Sequence, residues 1–113
     1  MPTEEINIKV ELDDKNVPEK IYWYATSSDM DNYKEARAMS LSFWDPNENN
    51  SLILSLWTKE MLVGDMNTHL FETLMTLADN YERATGFHKI AEKLRSHAKD
   101  LASEMAKLNR ESP

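Results

Sequence analysis

The chain has no cysteine, only two glycines among 113 residues, and no long apolar run. Without thiols there are neither disulfides nor thiolate metal ligands, a composition that fits a cytoplasmic protein. With Gly64 and Gly86 alone, neither a G-x-S-x-G nucleophile elbow nor a glycine-rich phosphate loop can be built, which excludes nucleotide binding by those routes. No apolar stretch approaches the roughly 18 residues of a membrane span. The N-terminal segment MPTEEINIKVELDD is acidic and alternating, where a signal peptide is basic and then apolar. Basic charge is also scarce. There are 13 Lys+Arg against 20 Asp+Glu, a net charge of -7, and this balance works against the phosphate attraction on which nucleic-acid binding depends. Anionic membrane surfaces are disfavoured for the same reason. A soluble cytoplasmic protein is expected, with no nucleic-acid partner and no membrane insertion.

What is present fits one domain over residues 1–113, with a sheet over about 5–57 and helices over about 65–85 and 87–109. A chain of this length buries about two-thirds of the surface exposed when unfolded, so one modest core is expected. Ile6, Ile8, Val10 and Leu12 alternate with polar residues, the period-two pattern of a strand with one buried face. After a polar turn containing Pro18, KIYWYAT reads as a second strand. Residues 26–33 form an acidic loop. From Ala36 to Trp44, Met39, Leu41 and Phe43 share one face and Ala36, Ala38, Ser40 and Ser42 the other. Leu52, Leu54 and Leu56 mark a fourth strand, which places Trp44 and Trp57 at the two ends of the last strand pair. The fold class is therefore α+β, a four-stranded antiparallel meander followed by two amphipathic C-terminal helices.

The period changes from about Asp65. Met66, Leu70, Leu74, Leu77, Tyr81 and Ala84 recur at three- and four-residue steps, an amphipathic helix closed by Gly86 as a left-handed cap. A second helix carries Phe87, Ala91, Leu94, Ala98, Leu101, Met105 and Leu108, spaced 4, 3, 4, 3, 4, 3. That stripe suits packing on the first helix or on the sheet. It also fits an intermolecular seam, and hence a homo-oligomer.

Few residues invite chemistry. Asp45, Asn47 and Asn49 occupy the first, third and fifth positions of a calcium-loop pattern, but the sixth is Asn50 rather than Gly and the twelfth is Leu56 rather than Glu. A hairpin turn fits better, with Asp45-Pro46 opening it and Asn49-Asn50 tolerating positive φ. His69, His88 and His97 lack the i, i+4 histidine partner of a helical zinc site. His69 and Glu72 share a helical face at i, i+3, a spacing that is common by chance. Trp23, Trp44 and Trp57 with Tyr22, Tyr24 and Phe43 form either a sheet face covered by helices or a ligand platform. The charged face of the second helix, including Lys89, Lys93, Lys99, Asp100 and Lys107, is a solvated face or a partner contact. No catalytic, cofactor-binding or metal-binding residue is assigned.

The blocks INIKVELDDKNVPEKIYW, KEARAMSLSFWD, LWTKEM and TLADNYERATG, in this order, resemble the gliding-motility protein C family of Bacteroidetes over nearly the whole chain. Leu62-Val63-Gly64-Asp65 departs from that resemblance, which implies a Ser, Thr or Asp helix start closer to LWTKEM. The resemblance implies a small cytoplasmic accessory protein of gliding motility with no enzymatic activity, no cofactor, and no defined site residues to carry over. Its partners would be proteins of the gliding apparatus, contacted through a sheet edge or the second helix. The alternative is a small-ligand or metal-dependent enzyme using the aromatic sheet face with His69 and Glu72.

Overall fold

The computed structural model describes residues 2–27 and 32–111. The central part of the acidic loop expected over 26–33, residues 28–31, lies outside the described residues. The chain forms two compact units, Met1–Met61 and Leu62–Pro113.

Among its described residues the first unit contains five strands: β1 (Ile6–Leu12), β2 (Pro18–Ala25), β3 (Lys34–Ala36), β4 (Ala38–Asp45) and β5 (Asn50–Trp57). The expected single four-stranded meander is corrected here. β1, β2 and β3 form one antiparallel sheet, and β4 and β5 form a separate two-stranded one. The division falls at Arg37, a bend between β3 and β4, whose carbonyl accepts the Thr58 amide at 2.9 Å. The segment expected as one strand over 36–44 therefore leaves the first sheet after Ala36 and enters the second at Ala38.

In the three-stranded sheet the register sets Ile8 opposite Trp23 and Val10 opposite Ile21, with Ile21 opposite Ala36. These apolar residues share one face, as period-two alternation requires. Among the described residues Ile21 is the largest fully buried side chain. The other face is polar and aromatic, with Lys9 opposite Tyr22 and Asn7 opposite Tyr24. There Tyr24 packs on Tyr33 at 5.7 Å between ring centroids, and the Lys9 ammonium lies 4.5 Å from the Tyr33 centroid. In the β4–β5 sheet Met39, Leu41 and Phe43 stand opposite Leu56, Leu54 and Leu52. That face is therefore apolar up to the Asp45–Asn50 pair at the hairpin turn.

The second unit is a helix hairpin, α1 (Val63–Thr85) and α2 (His88–Glu111). Both helices lie within two residues of their expected limits. The first turn of α1 has no side-chain cap at Leu62 and relies on Asp65 to oppose the helix dipole. This departure from a polar cap matches the sequence irregularity at Leu62–Asp65. Gly86 closes α1 as expected, at φ 76° and ψ 4°, its amide bonded to the Glu82 carbonyl at 2.8 Å. Among the described residues of this unit the buried ones are Ala78 on α1 and Ala91 and Ala98 on α2. Small side chains let the two backbones approach closely. Packing of the second-helix stripe is thus divided: its alanines are buried, while Phe87, Leu101 and Leu108 remain exposed.

Candidate functional site

The Asp45 loop is the turn of the β4–β5 hairpin, with Asp45 paired to Asn50 across it. The Asp45 carboxylate faces inward on its own turn. Its Oδ1 accepts the amides of Asn47 at 2.8 Å and Glu48 at 3.3 Å, and the Asn49 amide donates to the Asp45 carbonyl at 2.8 Å. Asn49 takes the positive φ of 54° that closes the loop. An oxygen that would be the first calcium ligand is thus already engaged by the backbone.

The aromatic residues do not make one platform. Trp23 lies on the apolar face of its sheet and Tyr22 and Tyr24 on the opposite face, because they alternate along β2. Phe43 and Trp44 likewise stand on opposite faces of β4. Trp44 and Trp57 share the other face of the β4–β5 sheet at its two ends, paired with Ser51 and Ala38, and both are exposed. An apolar groove of about 240 Å³ runs along Ile6, Ile8, Ile21, Trp23 and Met39, with Ser40 adding a hydroxyl. It brings no titratable group to a ligand.

Among the described residues no three of His, Asp and Glu converge as a metal site. His69 is half-buried and Glu72 exposed on α1, and no hydrogen bond joins them among the described residues. His88 instead bonds Glu82 through Nδ1 at 2.9 Å, and His97 is exposed.

Two carboxylates are strongly perturbed, and both are consumed by ion pairs. Glu82 sits well below the usual carboxylate range, at about 2, first because Arg95 bonds it and then because His88 does. Arg95 reaches Glu82 Oε1 at 2.9 Å and Asp79 Oδ1 at 2.7 Å, and also pairs with Glu92 one turn earlier on α2. Its own affinity for the proton rises accordingly. Asp13 is also lowered to about 2, chiefly by the hydrogen bond from Lys59, with the Val17 and Lys15 amides adding to it. Asp13 thereby closes the β1–β2 turn, in which Asn16 adopts a φ of 62°. Paired carboxylates of this kind support structure; a catalytic acid or base would be left free to exchange its proton.

Neither network was expected from the sequence. The i, i+3 relation of Glu92 and Arg95 was visible, but Asp79 and Glu82 join it only after the chain reverses at Gly86. The DDKN turn carried the familiar signature of Asp and Asn, and nothing local pointed to Lys59.

The remaining surfaces suited to function are apolar. On the β4–β5 sheet Phe43, Leu52 and Leu54 are exposed on the shared apolar face. Among the described residues β5 pairs with β4 alone, which leaves its outer edge open over eight residues with neither charge nor proline. Natural edge strands are usually blunted by such residues. On the helix hairpin a second apolar face runs along both helices.

A family model described as gliding motility-associated protein GldC-like matches residues 18–107. No curated protein and no solved structure matches the chain. Among the described residues, no helix is long and apolar enough to cross a membrane.

Proposed function

Because the chain belongs to the gliding motility-associated GldC-like family, we propose that it is a non-enzymatic accessory protein of the gliding machinery, a cytoplasmic adaptor that works through protein–protein contacts. The observation that carries this reading is the β4–β5 sheet, whose apolar face and open β5 edge together offer a strand-addition surface to a protein partner. Main-chain groups of the β5 edge would supply affinity, and Leu52, Leu54 and Phe43 the apolar anchors. The absence of cysteine and the acidic composition fit a cytoplasmic location.

The enzyme alternative receives no support from the site. Its aromatic residues are divided between two sheets and between opposite faces, and the groove along Ile21 and Trp23 lacks converging polar groups. The test is recovery of gliding-machinery proteins with the tagged chain from a gliding bacterium. Leu54→Asp replaces an exposed side chain and leaves the buried residues intact. The variant is expected to keep the wild-type circular dichroism spectrum and to lose the proteins recovered with wild type. Identical recovery by both would contradict the reading.

A further inference from the structure

The α1–α2 hairpin is amphipathic as a unit. Helical register sets Leu70, Leu77 and Tyr81 on one flank of α1, and Phe87, Leu101 and Leu108 on the flank of α2 that faces the same way. The Tyr81 and Phe87 rings, 6.5 Å apart, join the two flanks at the tip of the hairpin. The opposite side carries the Arg95 network. The six apolar side chains are between 36% and 61% exposed. Together they offer on the order of 600 Å² of surface, close to the ~800 Å² per partner that a stable interface buries. Ile90 adds to it.

We propose that a second copy of this chain covers that face, with α2 running antiparallel over α2 of the second copy in a four-helix arrangement. Three features select this occupant. First, the area approaches one protomer's share of a dimer interface. Second, Phe87, Leu94, Leu101 and Leu108 recur every seven residues and are symmetric about a point between residues 97 and 98. An antiparallel copy therefore sets Phe87 against Leu108 and Leu94 against Leu101, which is the self-complementarity that a twofold interface requires. Third, the charges agree with the same register. Lys93 on the outer border of the α2 flank falls between Asp100 and Glu104 of the second copy. The corresponding border of α1 carries Met66, Thr73 and Ala84, so laying α2 over α1 of the second copy would leave Lys93 and Glu104 without partners. Among the described residues Glu104 is engaged only by Lys107 of its own helix, an exposed pair at 3.4 Å that yields easily.

This inference is independent of the motility reading and is tested with the full chain by sedimentation equilibrium. Wild type is expected to run at twice the 13.1 kDa chain mass at tens of micromolar. Leu101→Asp should lower the association constant at least tenfold. Lys93→Glu should weaken the dimer several-fold by placing three acids together, and adding Glu104→Lys should recover most of the loss. Positions 93 and 104 are about 16 Å apart along one helix, so the rescue must act between copies. Both charge changes are at exposed positions and leave folding intact, which keeps the test decisive if Leu101→Asp unfolds the chain. A wild-type monomer at all concentrations would overturn the proposal. So would a dimer that Lys93→Glu does not weaken, or whose weakening Glu104→Lys does not reverse.

Discussion

Arg95 on α2 holds Glu82 on α1 at 2.9 Å, and Glu82 in turn accepts from His88 at 2.9 Å across the hairpin turn. The two helices are therefore tied at the end nearest Gly86, on the side opposite their apolar flank. This arrangement fixes the hairpin while leaving that flank available for contacts.

Acid should loosen this tie in a defined window. Glu82 is lowered from 4.5 to about 2, so the unfolded chain takes up its proton first as pH falls. The stability contributed by Glu82 is present above pH 4.5 and lost as pH drops towards 2. Asp13 behaves alike from 3.8 to about 2. Urea midpoints at pH 5, 4, 3 and 2 should fall less steeply for Glu82→Gln and for Asp13→Asn than for wild type. Parallel slopes would show that these pairs do not persist in solution.

Gly86→Val should destabilise the chain by about 1 kcal/mol or more, because φ 76° at a helix cap penalises a Cβ. Among the described residues, no atom beyond its two chain neighbours lies within 4 Å of the position a Cβ would take. The cost is thus entirely one of backbone conformation, and Gly86→Asn should be milder. An unchanged urea midpoint for the valine variant would argue for one continuous helix through Thr85-Gly86-Phe87.

Thr58 is buried, and among the described residues its Oγ1 has no hydrogen-bond partner. Its main chain is fully used, donating to Arg37 and accepting from Met61. Thr58→Val exchanges the orphaned hydroxyl for a methyl of similar size and should raise stability by about 1 kcal/mol. A lower melting temperature for the variant would mean that the hydroxyl has a partner in solution.

Much of the fold was legible in the sequence, and where it was not the reason is physical. β1 was readable because Ile6, Ile8, Val10 and Leu12 alternate without a break, and the Gly86 cap because glycine alone adopts its φ without strain. The split at Arg37 left no mark. Ala36 to Trp44 continues a strand pattern with no Pro, Gly or Asn, and the hydrogen bond that meets the bend comes from Thr58, distant in sequence. The Asp45 turn was legible from its local chemistry. The division of the aromatics followed from alternation, but grouping them as one surface ignored that adjacent strand residues face opposite ways.

The Asp45 loop should bind no calcium. Asp45 Oδ1 is committed to the Asn47 and Glu48 amides, and the loop lacks both the glycine and the terminal glutamate of a calcium site. Trp44 adjoins the loop and reports on it. Its emission and the melting temperature should be unchanged at millimolar calcium, and a saturable change in both would contradict this.

The most direct test of a contact-based function is surface spreading by a gliding bacterium that lacks its own copy of the protein. A chain carrying both His69→Ala and Glu72→Ala, matched to wild type in folding and accumulation, should restore full spreading, because the proposed contact-based function does not use these side chains. The Leu54→Asp chain should fail to restore it. If the His69/Glu72 variant folds and accumulates normally yet leaves the cells unable to spread, function depends on a ligand or reaction at that site, and the adaptor account is wrong.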